Sequence, residues 1–338
     1  MAKLRRALVL ACGLTLTSGC GHILGNTTAD ISDVFVMPNV LERGDVDIGC
    51  AAGAALGPMI GSFGQSSKKA LRASVMTVLS SAMCVEEDVR EAQLAQARAL
   101  HRGDTAGAKD AIAVEKRAHL LAARRYLLTW ERLKESFGLP EGGESCPKLR
   151  KPSEQLTYLL GLSAGTLAVI HDTAADQRAG VSMRIPGEVV RASACVDDAD
   201  WWGVPSSLRA AVWAVLPGAP EDQDPWLIFR EASQRGEAAG VRMADAFHVT
   251  AAATRGDAEE LRATIKAHVA REANAPIAGP YAMLDAYARA MVQHESDLIW
   301  TSSTGHRTPY NELGSFPDEQ SATETPDGFD DLFDGLDD

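Results

Sequence analysis

Aromatic residues are scarce in this sequence, and runs of β-branched residues are rare. Aromatic side chains make up 6% of the chain, whereas hydrophobic residues make up 46% and alanine is conspicuous throughout. Alanine is the best helix former, and strands draw on β-branched and aromatic residues. The composition therefore predicts an all-α fold.

The chain also lacks an excess of positive charge. It has 33 Lys and Arg against 46 Asp and Glu, which gives a formal net charge of −13. Nucleic-acid-binding proteins present a basic patch or stripe, and no such stripe is present here. The charge balance therefore argues against nucleic acid as a partner.

Motifs for cofactor, metal and nucleotide chemistry are missing as well. The sequence has no P-loop, no dinucleotide-binding fingerprint, no His-x-x-x-His spacing and no Cys-x-x-Cys spacing. These motifs place ligating or phosphate-binding groups together at fixed offsets. We therefore expect no cofactor, no metal site and no catalytic activity.

One stretch does resemble a catalytic motif. Gly161-Leu162-Ser163-Ala164-Gly165 fits the Gly-x-Ser-x-Gly pattern, and His248 follows downstream. A nucleophile elbow needs a strand before the serine and a helix after it. Residues 153–160 instead predict a helix, so the glycines are better explained by close packing of two helices. A serine hydrolase using Ser163 is the least favoured alternative.

Long hydrophobic runs are absent, and the longest apolar stretch lies near the N-terminus. Lys3, Arg5 and Arg6 precede an apolar run of about ten residues, whereas a membrane-spanning helix needs about 20. A basic start, a short apolar run and small residues before a cleavage site are typical of an export signal. Residues 1–19 are therefore predicted to be a signal peptide.

The end of this segment indicates lipidation. Ser18 and Gly19 come directly before Cys20, as in a bacterial lipobox, where the cysteine becomes the lipidated first residue of the mature protein. Gly21 follows in place of the aspartate that would indicate retention in the inner membrane. The sequence thus predicts an outer-membrane lipoprotein that faces the periplasm. The alternative is an ordinary secretory cut near Gly19.

Four cysteines remain in the mature body: Cys50, Cys84, Cys146 and Cys195. An even number in an oxidising compartment predicts two disulfides, for which three connectivities exist. Cys50 with Cys84 is favoured because two antiparallel helices are expected on either side of a turn near Gly64, and this leaves Cys146 with Cys195. Free buried cysteines are the alternative.

Helical hairpins are expected to fill the body of the chain. Residues 20–40 are predicted to be a tether, 41–309 a helical-repeat domain and 310–338 an acidic, disordered tail. Arg-Gly-Asp occurs at residues 43–45, 102–104 and 255–257. Each glycine can end a helix and each aspartate can cap the next, which explains the tripeptide better than cell adhesion does. The sequence therefore predicts tetratricopeptide-like hairpins. They are degenerate, because the sequence has no regular period of about 34 residues.

A series of short motifs in order carries a family resemblance. Besides the lipobox cysteine, the motifs are Ala55-Leu56-Gly57-Pro58, the block from Ala95 to Phe137, Tyr158-Leu159-Leu160-Gly161, Asp200-Trp201-Trp202-Gly203, Leu216-Pro217-Gly218, Gly256-Asp257 and Tyr287-Ala288-Arg289-Ala290. Together they resemble the T-component lipoproteins associated with tripartite ATP-independent periplasmic transporters. The resemblance implies tetratricopeptide-like hairpins stacked around a central cavity, and a partner that is a periplasmic solute-binding protein. The acidic tail and the four cysteines depart from the family.

Two sets of residues are candidates for binding. The few aromatic residues could line a ligand cavity, because such cavities are apolar and aromatic with a few polar groups. The ligand candidates are Trp130, Tyr158, Trp201, Trp202 and Trp213, with packing in the core as the alternative. In the tail, Phe329, Leu332, Phe333 and Leu336 have the spacing of an amphipathic helix that docks into a partner's groove, with a solvating tail as the alternative.

Together these expectations predict the function of the protein. We expect a lipid-anchored accessory to solute transport that binds a solute-binding protein or another envelope protein, and also a small hydrophobic or organic-acid ligand. The alternative is a non-catalytic envelope scaffold with the same fold.

Overall fold

The computed structural model describes residues 21–140, 145–274, 277 and 279–320. The protein is all-α, as predicted, and no strand occurs within these ranges. No helix in the described part of the chain is long and apolar enough to cross a bilayer. The helices differ widely in length, from Pro317–Gln320 to Lys68–His101. Tetratricopeptide-like character stays a prediction.

The first half contains a bent N-terminal segment and four helices. We call residues 21–41 the N-terminal segment; it is helical throughout and includes a π-helical turn at Ser32–Val36. The four helices are α1 (Val46–Ser62), α2 (Lys68–His101), α3 (Thr105–Phe137) and α4 (Pro152–Ala174). Consecutive helices pack against each other as hairpins, with α2 and α3 the most extensively paired.

The second half is built from shorter helices that return to the first. They are α5 (Ile185–Ser193), α6 (Val204–Val215), α7 (Pro225–Ala239), α8 (Met243–Arg255), α9 (Ala258–Asn274), α10 (Ala282–Thr304) and α11 (Pro317–Gln320). Helix α10 packs on both α8 and α2, so the two halves close around a common interior.

Aspartate caps set the starts of several helices. The carboxylates of Asp45, Asp104 and Asp257 each accept a hydrogen bond from a backbone N–H three residues ahead, at 2.8–3.1 Å. Gly103 and Gly256 end the preceding helices with positive φ values of 70° and 69°. These contacts give the Arg-Gly-Asp tripeptides the capping role expected from the sequence.

The N-terminal segment was predicted to be a tether, and this prediction was wrong. Ala29 is fully buried, and Ser67 donates a hydrogen bond of 2.7 Å to Asn26. Gly25 lies so close to Phe63 that an added Cβ would be 2.9 Å from the Phe63 Cβ. Between Gly25 and Ser32 the contact face is built from small residues, so this part lacks the large apolar side chains by which a buried helix is usually found. Only the end of the segment packs on the core through large apolar residues, which are Met37, Val40 and Leu41.

Both disulfides have the favoured connectivity. Cys50 on α1 is bonded to Cys84 on α2, and their Cα atoms are 5.2 Å apart. Cys146, in the loop before α4, is bonded to Cys195 beyond α5, with Cα atoms 5.4 Å apart. The two helices joined by the first bond, α1 and α2, are in close contact. An added Cβ on Gly53 of α1 would lie 2.5 Å from the Ser80 Cβ of α2.

A buried ion pair connects the start of α8 to α10 in the second half of the chain. Arg242, before α8, is 1% exposed, and its Nε donates to Asp285 on α10 at 2.8 Å. The backbone N–H of Arg242 donates to the same carboxylate at 2.9 Å, and Nη2 completes a bidentate contact. Three donors therefore neutralise a carboxylate that is fully buried.

The helical body extends further than predicted towards the C-terminus. Residues 310–320 were assigned to the disordered tail, but Phe316 is fully buried in a cluster with Ile265 and Val292. Asp318 and Glu319 pair with Arg262 and Lys266 of α9. The acidic start of the tail therefore packs on the body. The predicted docking residues Phe329, Leu332, Phe333 and Leu336 lie outside the described residues.

Candidate functional site

An apolar cavity of about 270 Å³ lies where α4, α6, α8 and α10 converge. Small side chains face it from three of these helices: Ser163 from α4, Ala211 from α6, and Ala246 and Ala251 from α8. Because neighbouring positions on the same faces carry Leu, Met and Phe, the small residues leave space that the large ones do not fill.

The cavity opens to solvent at the ends of α4, α6 and α8. Met183 is 56% exposed and Val215 is 37% exposed, and both line the opening together with Thr173 and Thr254, which are also exposed. Ligand pockets in proteins are typically concave and mostly apolar, with a few polar groups. The entrance and lining therefore have the character of a binding site for a small molecule.

Two tyrosines bring polar groups to the inner end. Tyr126 on α3 and Tyr287 on α10 both line the cavity and are buried. Burial, followed by the negative charge of Glu86, raises the pKa of each phenol well above its ordinary value. Both hydroxyls therefore stay protonated and can donate hydrogen bonds.

Behind the tyrosines lies a buried polar cluster centred on Glu86. Tyr287 donates to Glu86 Oε2, and His171 Nε2 lies 3.2 Å from Oε1. His171 Nδ1 lies 2.8 Å from His119 Nδ1, and Arg90 Nη1 lies 3.8 Å from Oε2. Burial acts to raise the pKa of Glu86, but the hydrogen bond from His171 and the nearby charges outweigh it and lower the pKa to about 2. Glu86 is thus a buried carboxylate held in its charged form.

One hydroxyl at the cavity is buried without a protein partner. Thr166 Oγ1 makes no hydrogen bond, whereas the Tyr126 hydroxyl is held beside Glu86 and Tyr287. A buried hydroxyl left unpaired costs free energy. Thr166 is therefore a polar group at which a ligand could make a hydrogen bond.

The five aromatic candidates do not line this cavity. Trp130, Tyr158, Trp201 and Trp202 are at most 7% exposed and pack in the main core, and Trp213 is half-buried. Adjacent residues such as Trp201 and Trp202 seldom both enter one core. Both enter it here because Trp202 has a positive φ of 57°, which turns the backbone between the two side chains. The prediction of their role is corrected accordingly.

Ser163 does line the cavity, but not as part of an elbow. It lies in the middle of α4, and its hydroxyl donates to the Leu159 carbonyl at 3.2 Å. His248 Nε2 lies 2.8 Å from Glu260 and 3.2 Å from Thr264. The strand and turn that a nucleophile elbow needs are absent at Ser163.

The flanking glycines serve helix packing, as the sequence suggested. An added Cβ on Gly161 would lie 2.8 Å from Leu133 Cδ1, and one on Gly165 would lie 2.5 Å from Trp130 Cε3. Both contacts join α4 to α3. They explain why glycine occupies the two outer positions of the motif without any catalytic role.

The remaining sequence predictions concern residues that lie elsewhere. Cys20, the predicted lipid-bearing residue, lies outside the described residues. No group of three or more His, Cys, Asp or Glu in the described ranges is arranged to hold a metal ion.

Comparison of the chain with family models, with curated proteins and with solved structures gives no match.

The cavity residues themselves were not singled out from the sequence. Tyr126 and Tyr287 each belong to an apolar helical stripe, and such a stripe predicts burial rather than a cavity. The space arises only where four helices, distant in sequence, meet with small residues facing inwards. No local signal in the sequence marks that meeting point.

Proposed function

We propose that the protein binds a small, neutral and mostly apolar molecule in this cavity. The observation that carries the proposal is the lining itself: an open cavity of about 270 Å³ whose described lining residues include none with a charged side chain. A preformed apolar space gains dispersion contacts and hydrophobic burial when a ligand of matching shape enters.

The electrostatics favour a neutral ligand over the organic acid also considered from the sequence. An anionic ligand loses its hydration on entering an apolar site and needs a cation or several donors in return. Here no described lining residue carries a positive charge, and Arg90, behind the tyrosines, is already paired with the Glu86 carboxylate. A single hydroxyl or carbonyl group on the ligand can instead pair with Thr166.

The cavity also limits the size of the ligand. A dry apolar cavity of about 150 Å³ in a protein is large enough for benzene. By that scale, 270 Å³ accommodates on the order of ten to twelve non-hydrogen atoms. The proposed ligand class is therefore a compact apolar molecule, such as a bicyclic or short-chain alcohol.

The wider role proposed is that of a lipid-anchored accessory in the cell envelope. The export signal and Cys20 support the outer membrane facing the periplasm, and the resemblance to T-component lipoproteins supports tetratricopeptide-like hairpins, handover of the ligand to a periplasmic solute-binding protein, and no catalysis. An envelope scaffold is the second candidate, and ligand binding separates the two. A scaffold with the same fold has no need for a cavity that binds.

Binding can be tested by titration calorimetry with 2-naphthol, benzamide and benzoate. We expect 2-naphthol to bind, and benzoate to bind at least about tenfold more weakly than benzamide, which has the same size and is neutral, because the carboxylate loses hydration without gaining a cation. Ala211→Phe fills the cavity and should abolish binding of 2-naphthol. Leu227→Phe, at a residue 50% exposed on α7, is the matched control that should bind normally. Equal binding by both variants, or none by the wild type, contradicts the proposal.

Replacing Thr166 by valine tests the unpaired hydroxyl directly. Valine has the same shape, so Thr166→Val removes an unsatisfied polar atom and is expected to raise the free energy of unfolding by about 1 kcal/mol. Thr250, which also lines the cavity, donates to the Ala246 carbonyl at 2.8 Å. Thr250→Val should lower the free energy of unfolding by a similar amount. Urea unfolding of both variants measures the difference, and a loss of stability in Thr166→Val would show that this hydroxyl is satisfied.

A further inference from the structure

An apolar stripe on the N-terminal segment, interrupted by Thr27, faces away from the protein body. We define the stripe by Ile23, Leu24, Ile31, Val34 and Phe35, which are between 51% and 69% exposed. Large apolar side chains often lie singly on protein surfaces, but five on one short segment form a patch. Such patches mark contacts with a protein or a membrane.

The five side chains share one face of the helix. At about 100° per residue, Ile23, Leu24 and Ile31 fall within an arc of about 100°. Val34 and Phe35, in the π-helical turn, are exposed as well. Thr27 is the exposed polar residue inside this arc, whereas Asp30 and Asp33 lie outside it. An uncharged apolar face bordered by acidic residues has the pattern of a helix that lies in an interface between water and an apolar phase.

Contacts on the opposite face of the N-terminal segment fix the direction in which the stripe faces. Gly25, Ala29 and Ser32 are buried on that side, and Asn26 is bonded to Ser67 at the start of α2. Lys69 on α2 also pairs with Asp30 at 2.9 Å. The segment is therefore held on the body by one face and presents the stripe outwards by the other.

We propose that the stripe docks on the surface of a lipid bilayer. The argument for a bilayer over another protein is the position of the segment in the chain: Gly21, the first described residue, is already helical and directly follows the predicted lipid-bearing Cys20. An acyl anchor at Cys20 leaves no linker, so the stripe is held at the membrane at a high effective concentration. The body then lies on the far side of the helix from the lipid.

The driving force is burial of apolar surface and not charge. The chain has a formal net charge of −13, and no basic residue lies within the stripe. Electrostatic attachment to anionic lipids needs clusters of Lys or Arg and is screened by salt. Docking through the stripe is therefore expected to be unchanged at about 1 M salt and not to need anionic lipids.

The test places a tryptophan within the stripe of the mature protein. Phe35→Trp keeps the face apolar, and its added fluorescence is followed in vesicles of phosphatidylcholine brominated on the acyl chains. A side chain buried about 5–10 Å into the interface should be quenched about threefold more strongly than one in water. Leu227→Trp, 50% exposed on α7, is the matched control and should show no added quenching.

A second substitution separates docking from misfolding. Adding Ile31→Ser to Phe35→Trp should reduce the quenching severalfold while circular dichroism shows unchanged helix content, since Ile31 is exposed and has no part in the core. Equal quenching of Phe35→Trp and Leu227→Trp overturns the proposal. So does a dimer in sedimentation that Phe35→Ser dissociates, because the stripe would then be covered by a second copy of the chain.

Discussion

Replacing Asp285 by alanine is expected to lower the free energy of unfolding by about 3–5 kcal/mol, which is enough to unfold many domains. The carboxylate accepts three hydrogen bonds from Arg242, one from its backbone and two from its guanidinium. Both side chains are 1% exposed. Without Asp285, a guanidinium stays buried without its bidentate partner and water cannot replace the lost contacts.

The measurement is urea unfolding followed by circular dichroism, with two matched variants. Lys69→Ala breaks an ion pair whose partners are 58% and 57% exposed, and it should cost less than about 1 kcal/mol. Arg242→Met combined with Asp285→Leu removes both charges and should recover most of the stability lost in Asp285→Ala. If Asp285→Ala costs no more than Lys69→Ala, the pair is not the tie between α8 and α10 that the geometry indicates.

The helices of this fold could be predicted from the sequence because their signals are local. Asp45, Asp104 and Asp257 lie at the start of apolar periodic segments, and each caps a helix through a contact only three residues away. The favoured disulfide between Cys50 and Cys84 followed from the same hairpin. A cap or a hairpin depends on a short stretch of chain, so the residues that form it are next to one another in the sequence.

The cavity and the N-terminal segment depend on distant contacts. The first part of the segment is bound through Gly25, Ala29 and Ser32, which are too small to give an apolar pattern, while the large apolar residues of the stripe point outwards. The cavity depends on how four helices meet. For Trp202, the deciding factor is a positive φ that no propensity assigns to tryptophan. Each case is a tertiary arrangement that overrides a local rule.

Replacing Glu86 by glutamine is expected to lower the free energy of unfolding by about 2–3 kcal/mol near neutral pH. The carboxylate accepts from both Tyr287 and His171 and lies near Arg90. Glutamine has nearly the same shape but offers only one accepting atom, so its NH₂ group faces a donor. The pKa of Glu86 falls from its ordinary value of 4.5 to about 2, a shift that corresponds to about 3 kcal/mol of stability.

The pH dependence of the free energy of unfolding shows whether Glu86→Gln destabilises the protein by removing the charge of Glu86 or by a simple loss of packing. Because the folded-state pKa is lowered, the stabilisation is complete above about 4.5 and is lost as the pH falls through about 2. The wild type should therefore lose stability over that window, while Glu86→Gln should not lose this contribution. The difference between the free energies of unfolding of the two proteins, measured by urea unfolding from pH 7 to pH 3, should stay constant down to about pH 4.5 and narrow below it. Glu131→Gln, at an exposed position on α3, should stay within about 0.5 kcal/mol of the wild type. A difference between wild type and Glu86→Gln that does not change with pH would mean that the cost arises from packing, and that the charge of Glu86 does not stabilise the inner end of the cavity.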